Sequence, residues 1–108
     1  MKTITVVATF QARPGQEAEL KKALIGLITP TRKEAGCLNY DLHVLNDDPA
    51  KFLFHENWTS KAHLDAYLKN THIQVLLLRL DELCVGKPEL KIWEKIAWPE
   101  RGVHAALI

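Results

Sequence analysis

The sequence predicts an α+β fold in which helices pack on one four-stranded antiparallel sheet. Three observations support this. The 108 residues suffice for one domain, since domains usually have roughly 100–150 residues. Segments of alternating apolar residues are interspersed with segments in which they recur every three or four positions. Charged residues make up 25% and apolar residues 47%, as in ordinary globular proteins. We predict one domain over residues 1–108, with its core at 2–97 and a C-terminal tail at 98–108.

The first predicted elements are a strand and a long helix. Apolar side chains alternate through residues 3–12, and many of these residues are β-branched, which indicates a strand. Residues 13–15, Arg-Pro-Gly, interrupt it, and helical spacing follows over 18–31. Pro30 cannot donate a helical hydrogen bond, so we predict a kink or break there. Gly36 suits the left-handed position that closes a helix.

The next two strands are predicted to form a hairpin. Residues 38–44 and 52–58 both alternate. Residues 46–49, Asn-Asp-Asp-Pro, separate them, and these residue types favour turns. We expect a loop of moderate length between the strands.

Two short helices and a fourth strand complete the chain. Thr59 or Ser60 is expected to cap the first helix, Thr71 the second, and residues 90–96 alternate again. The resulting order is β-α-β-β-α-β with its second helix broken in two. This is the order of a ferredoxin-like protomer.

Both faces of the predicted sheet carry apolar side chains. A sheet with water on one side should show a cleaner polar row. The mixed row, together with an apolar C-terminal tail, therefore predicts a homodimer. The apolar row comprises Ile4, Val6, Ala8, Phe10, Leu38, Tyr40, Leu42, Val44, Phe52, Phe54, Leu90, Ile92 and Ile96, and the mixed row comprises Val7, His43, Leu45, Leu53, His55 and Trp93.

Several classes of partner and cofactor are excluded by composition and motifs. A net charge of +1 argues against nucleic acid and anionic membranes as partners. The two cysteines, Cys37 and Cys84, form no metal-binding or redox spacing, and there is no glycine-rich phosphate loop. We therefore expect no metal and no cofactor. No signal peptide or apolar run of about 20 residues is found, so we expect a cytoplasmic protein that binds no membrane.

The third strand carries the most informative residues. Phe54, Glu56 and Trp58 lie on the same row, and a carboxylate among aromatic side chains is costly to leave ionised and unpaired. Burial would raise its pKa and suit it to acid or base chemistry. Alternatively, Glu56 bonds a neighbouring backbone group or Lys95 and only fixes geometry, and Trp58 only fills the core.

Two histidines lie near the starts of the two short helices. His63 and Tyr67 are four residues apart and share a helical face, while His72 follows Thr71. With the third strand they would form a wall of aromatic and imidazole groups suited to a flat aromatic ligand. As surface histidines at helix ends, they would have no such role.

Several motifs resemble the antibiotic biosynthesis monooxygenase family, in particular its quinol monooxygenase-like members. They are Arg13-Pro14-Gly15, the segment from Lys33 to Tyr40, the segment from Glu56 to Leu64, and Thr71-His72. The resemblance implies ferredoxin-like protomers that pair sheet to sheet as a dimeric α/β barrel. It also implies oxidation of quinols or polycyclic phenols by O2 without flavin, metal or haem.

The site residues implied by the resemblance match in part. Trp58 matches the family tryptophan, but Phe54 and Leu64 replace an asparagine and a tyrosine of the polyketide-oxidising members. Glu56 and His72 match the quinol-type and signal-processing members better. The places used by the haem-degrading branch look like Val7, Tyr67 and Leu77 here, without the haem-binding histidine. Haem degradation is therefore not expected.

The function expected from sequence is cofactor-free oxidation of a quinol or small phenol. His72 or Glu56 would transfer protons, and Trp58, Tyr67, His63 and Phe54 would contact the substrate. Two alternatives remain open. One is an isomerase of the type that processes autoinducer-2, and the other is a non-catalytic dimeric protein that binds a ligand or responds to stress.

Overall fold

Four antiparallel strands form a single sheet in the order β2-β3-β1-β4. The computed structural model describes residues 3–96. Its elements are β1 (Ile4–Gln11), α1 (Glu17–Ile25), α2 (Ile28–Arg32), β2 (Cys37–Leu45), β3 (Asp48–Trp58), α3 (Lys61–Leu68), α4 (Thr71–Leu77), α5 (Leu80–Leu83) and β4 (Glu89–Glu94). The α+β ferredoxin-like fold predicted from sequence is confirmed.

The core lies between one face of this sheet and the helices. Alternate residues of β1 and β3 are buried, as expected for strands that present one face to a core. Leu20 and Leu24 of α1, Leu64 of α3 and Leu76 of α4 pack into the same buried cluster. We call this side of the sheet the core face and the other side the open face.

The predicted break in the first helix falls one turn before Pro30. The first helix ends at Ile25, and α2 begins at Ile28. A helical residue at position 30 would bond the carbonyl of Gly26, but proline has no amide hydrogen and its ring crowds that carbonyl. The helix is therefore interrupted where that missing bond would have been.

The second helical region is divided further than predicted. Asn70, rather than Thr71, is the N-cap of α4, whereas α3 is capped by Ser60 as one of the two expected residues. The Arg79 amide bonds the Leu76 carbonyl at 2.8 Å, which is a tighter turn than an α-helix makes. This turn separates α4 from α5.

The hairpin between β2 and β3 is tighter than expected. β3 begins at Asp48, and only Asn46 and Asp47 lie between the two strands. The Asp48 side chain accepts a 2.9 Å hydrogen bond from the Ala50 amide. Pro49 lies within the strand, beside an irregularity in the β2–β3 register between Val44 and Leu45.

Several residues of the predicted apolar row are not buried. Leu38 is 57% exposed because a bulge between Cys37 and Asn39 moves it out of register. Val44 is half exposed near the irregular end of β2. Leu90 and Ile92 are exposed on the edge strand, and Ile96 lies beyond the end of β4. The predicted tail at 98–108 lies outside the described residues.

The open face carries a chain of hydrogen-bonded polar side chains. Thr5 Oγ1 donates to Asn57 Oδ1 at 2.6 Å, and Asn57 Nδ2 donates to Asn39 Oδ1 at 2.7 Å. Asn39 Nδ2 donates to Asp41 Oδ2 at 2.9 Å and to the backbone carbonyl of His55 at 3.1 Å. We call these residues the open-face network.

Over residues 3–96, none of the helices has both the length and the apolar character needed to cross a bilayer.

Candidate active site

A cavity of about 410 Å³ opens between the core face and the helical layer. The sheet contributes Ala8, Phe10, Tyr40, Phe54, Glu56 and Leu90, and the helical side contributes Tyr67, Leu68, Ile73, Leu76, Leu77, Leu80 and Asp81, with Gly86, Lys87 and Pro88 from the loop before β4. Its walls are therefore mostly apolar and aromatic, with few polar groups. This is the usual character of a small-molecule site.

Glu56 is the buried carboxylate of this cavity. It is 3% exposed, and its Oε1 accepts a 2.9 Å hydrogen bond from Trp58 Nε1. Burial raises the pKa of Glu56 to about 7, although the bond from Trp58 acts in the opposite direction. Glu56 can therefore be protonated or ionised near neutral pH, as a proton-transfer group requires.

Trp58 supports the site from behind the cavity lining. Its indole is fully buried and stacks on Tyr67, with ring centroids 4.9 Å apart and an interplanar angle of 24°. Two residues apart on β3, Trp58 and Glu56 face the same side of the sheet. The indole therefore fixes the positions of both the carboxylate and the Tyr67 ring.

Two tyrosine hydroxyls also meet in the core beside the cavity. Tyr40 and Tyr67 have their hydroxyl oxygens 2.9 Å apart, and Thr31 Oγ1 donates to the Tyr67 oxygen at 3.4 Å. Burial raises the pKa of Tyr67 to about 12, and it also raises the pKa of Tyr40. Both phenols are therefore protonated at neutral pH.

Tyr40 was not predicted as a site residue. It stacks on Phe54 with ring centroids 4.2 Å apart, and it is the cross-strand partner of Glu56. Its presence in an otherwise aliphatic row of β2 was the available signal, because a buried tyrosine needs a partner for its hydroxyl.

His63 lies apart from the cavity lining. Its Nδ1 is 2.7 Å from Ser60 Oγ and 3.1 Å from Thr59 Oγ1, near the start of α3. The ring packs against Gly36, which has a φ of +82° and no room for a Cβ atom. His63 thus joins α3 to the turn before β2, and a role in substrate contact stays a prediction.

His72 also lies outside the lining of this cavity. It borders a separate pocket of about 320 Å³ near α1 and α4. Its ring centroid is 5.7 Å from that of Tyr67, and its Nε2 is buried without a hydrogen-bond partner in the described residues. Its role as a base stays a prediction.

A second depression of about 450 Å³ lies on the open face, and it has a different character. Leu53, Leu45 and Thr9 border it, together with His43, which is exposed, and His55, which is half-buried. Neither histidine is enclosed as Glu56 is. The cavity on the core face is therefore the better candidate for chemistry.

Among residues 3–96, no group of three or more His, Cys, Asp and Glu side chains is close enough together to hold a metal ion. Nearly all the polar chemistry of the cavity wall comes from Glu56, Tyr40 and Tyr67, while Asp81 and Lys87 are exposed. The wall can remove a proton from a bound hydroxyl and donate hydrogen bonds to an oxygen. It can also hold an aromatic ring among Phe10, Phe54 and aliphatic side chains.

Several solved structures and one known protein are similar to this chain in fold or in sequence. A Pseudomonas aeruginosa protein, PA3566, has a TM-score of 0.85 and 30% identity, covering 90% of this chain and 97% of its own. Shewanella oneidensis SO0527 has a TM-score of 0.83 and 30% identity, covering 87% of this chain and 91% of its own. A Mycobacterium tuberculosis protein with the name "Putative monooxygenase Rv0793" is 38% identical over 69 residues, which are 64% of this chain and 67% of that protein.

The family assignment rests on a match along most of the described chain. Residues 3–76 match the sequence model described as antibiotic biosynthesis monooxygenase, and this range includes Glu56, Trp58 and Tyr67. This chain therefore belongs to the antibiotic biosynthesis monooxygenase family.

Proposed function

We propose that this protein oxidises a quinol or small phenol with O2, without a resident cofactor, and that Glu56 is the general base. The observation that carries this proposal is a buried carboxylate, with a pKa of about 7, that opens onto an aromatic-walled cavity of about 410 Å³. A cavity of this size suits one small aromatic ring system. Membership of the monooxygenase family supports the reaction class.

The proposed reaction begins with a proton transfer. Ionised Glu56 takes a proton from a substrate hydroxyl, and the resulting phenolate is electron-rich enough to pass one electron to O2. Superoxide and the aryloxyl radical then combine at the ring carbon next to the oxygen, and the resulting peroxide takes back the proton held by Glu56, giving a hydroperoxide and ionised Glu56. Loss of that carbon's proton with cleavage of the O–O bond releases water. Hydroquinone and O2 thus become hydroxybenzoquinone and water, and each product receives one of the two oxygen atoms of O2.

The protein's contribution to this sequence is to position and desolvate the substrate. The apolar walls exclude water from the phenolate, so its electrons are less stabilised by solvent and are more readily transferred. Phe54 and Tyr67 line the cavity and would contact the substrate ring, while Trp58 orients Glu56 through its 2.9 Å hydrogen bond.

The test is oxygen consumption with a panel of hydroquinones, with and without a chelator and added flavin. We expect uptake by the purified protein that neither addition changes. Glu56→Gln should lower turnover by about 10²–10⁴-fold, because the amide cannot accept the proton. Glu82→Gln is the matched control, since Glu82 is exposed on α5 and bonds Arg79. His72→Ala is measured in parallel.

Two results would count against this assignment. Absence of oxygen uptake with every hydroquinone would reject the reaction. Full activity of Glu56→Gln, together with loss of activity in His72→Ala, would reject Glu56 and restore His72 as the base.

We also propose that the open face of the sheet pairs with a second copy of the chain. Trp93 and Leu45 are 55% and 52% exposed, and Leu53 lies between His43 and His55 at the depression on this face. A patch of this composition is typical of interfaces. Trp93→Glu would bury an unpaired carboxylate in such an interface and should give monomers in sedimentation at micromolar concentration. A wild-type protein that is itself monomeric would overturn the proposal.

A further inference from the structure

The Tyr40 and Tyr67 hydroxyls form a hydrogen-bonded pair that uses one of their two hydroxyl protons. Their oxygens are 2.9 Å apart, so one hydroxyl donates to the other. Thr31 supplies a further donor to the Tyr67 oxygen, at 3.4 Å. Two protonated phenols carry two protons between them, and the bond that joins them uses only one. Among residues 3–96 the structure shows no hydrogen bond from the second hydroxyl proton, so an acceptor that enters the cavity can take it.

The position of this pair relative to Glu56 is set by the sheet. Tyr40 and Glu56 are direct cross-strand partners on the core face, and both line the cavity. Directly opposed residues of an antiparallel pair have Cβ atoms about 4.5–5.5 Å apart. A carboxylate and a phenol thus face the same small volume from neighbouring strands. One can accept a proton from a ligand oxygen, and the other can donate to a ligand oxygen.

Burial and ring stacking keep this donor fixed and away from solvent. Tyr40 is 2% exposed and Tyr67 is 2% exposed, and the rings are held by stacking on Phe54 and Trp58 respectively. A donor that is already oriented and desolvated needs no reorganisation when negative charge develops on a bound oxygen. The Thr31 contact adds to the polarisation of the pair.

We propose that the Tyr40–Tyr67 phenol pair is a substrate-binding donor for a second oxygen, which narrows the substrate class to aromatic diols. In this arrangement one hydroxyl of the diol meets Glu56, and the other accepts a hydrogen bond from the phenol pair. The inference rests on the proposed function, and it assigns the pair no proton transfer. A simple phenol would leave the second donor without a partner and would bind less tightly.

The test uses 4-nitrocatechol, a coloured aromatic diol whose absorbance shifts on ionisation. Either hydroxyl can donate to the ligand once its neighbour is gone, so Tyr40→Phe and Tyr67→Phe should each weaken binding only about 3- to 10-fold. The double variant loses both donors and should weaken binding roughly 10- to 100-fold. The ionised form of the bound probe should also be less favoured in the double variant. Thr5→Val is the matched control, because it removes a hydrogen-bonded hydroxyl from the open face.

Each result decides the proposal. Binding that falls in the double variant but not in Thr5→Val supports it. Unchanged affinity and spectrum in the double variant would overturn it, as would a wild-type protein that binds 4-nitrocatechol no better than 4-nitrophenol. Were the double variant unfolded, unchanged binding in both single variants would overturn it equally. Suppose that hydroquinone-dependent oxygen uptake is lost in Glu56→Gln but is unchanged in the double variant. That result would reject the role of the phenol pair and leave the proposed function standing. Loss of diol binding in the double variant without any oxygen uptake would reject only the function.

Discussion

The two faces of β3 differ in how they treat neighbouring ionisable residues. Glu56 lies on the core face, 3% exposed, with its carboxylate bonded to Trp58. His55 precedes it on the open face, half-buried, beside the Asn39 amide of the open-face network. Two adjacent residues of the sequence are therefore a desolvated acid in a cavity and an imidazole within a polar surface network.

The difference shows that burial, and not residue type alone, brings the pKa of a group into the range needed for proton transfer. The pKa of Glu56 is raised because the charged form has lost its water and has one hydrogen-bond donor to replace it. On the open face, Asn57 donates a hydrogen bond to Asn39, and Asn39 in turn donates to Asp41. Such a network holds strands in register and leaves little reactivity.

The largest contrast in stability is expected between Phe54 and its neighbour Leu53. Phe54→Ala should lower the free energy of unfolding by about 3–5 kcal/mol, because Phe54 is buried and stacks on Tyr40. Leu53→Ala, on the open face, should cost less than about 1.5 kcal/mol in the protomer. Equilibrium denaturation in urea measures both. A further loss in Leu53→Ala that depends on protein concentration would place Leu53 in the proposed dimer interface.

A second contrast concerns the pH dependence of stability. Glu56 has a pKa of about 7 in the folded state against an ordinary value of 4.5, so its contribution to stability is complete below about pH 4.5 and is lost as pH rises through 7. Gln cannot ionise. The stability of Glu56→Gln relative to wild type should therefore rise by about 3 kcal/mol between pH 4 and pH 8. A difference that does not change with pH would show that Glu56 ionises normally.

A smaller effect is expected when the donor to Glu56 is removed. Trp58→Phe keeps a ring against Tyr67 but deletes the Nε1 bond, which is what lowers the pKa of Glu56. The pKa should rise further, so the pH–rate profile of quinol oxidation should move to higher pH. Trp93→Phe, which alters an indole on the open face, should leave the profile in place. If the pH–rate profile of Trp58→Phe does not shift, the ionisation that limits the rate is not that of Glu56.

The smallest effect is expected in the open-face network. Asn39→Ala removes hydrogen bonds to Asn57, Asp41 and the His55 carbonyl. Because Asn39 is half-buried and water can replace part of these bonds, we expect a loss of about 1 kcal/mol in stability. Turnover at saturating substrate should not change. A fall in turnover comparable to that of Glu56→Gln would mean that the two faces are coupled.

The sequence predicted the elements better than their ends. Alternation identified all four strands, because a strand that covers a core must bury every second side chain. The prediction that Leu38 belongs to the buried row was wrong, because a bulge adds a residue to the strand without changing the apolar pattern of the sequence. β4 carries the expected apolar residues, yet it is exposed as the edge strand. Strand order, which decides exposure at an edge, is not encoded in the periodicity of a single strand.

The sequence prediction placed candidate site residues on β3 and on the two short helices, and it missed Tyr40 on β2. Glu56 stood out because a carboxylate interrupts an aromatic row, and this signal is local to residues 52–58. The neighbour that faces it, Tyr40, is set by the β2–β3 register, and the partner of Tyr40 comes from α3. His72 lies close to Tyr67 yet borders another pocket, because the direction in which α4 presents it depends on how that helix packs.

What the sequence by itself determined is the alternation of elements, the break near Pro30 and the presence of one carboxylate in an apolar row. These features arise from backbone geometry and local spacing, which act over a few residues. Only the tertiary structure decided that Glu56 is desolvated, that Trp58 bonds it and that Tyr40 and Tyr67 share a hydrogen bond beside it. Desolvation and hydrogen bonding in a core depend on which distant segments meet, and that follows from the packing of the whole domain.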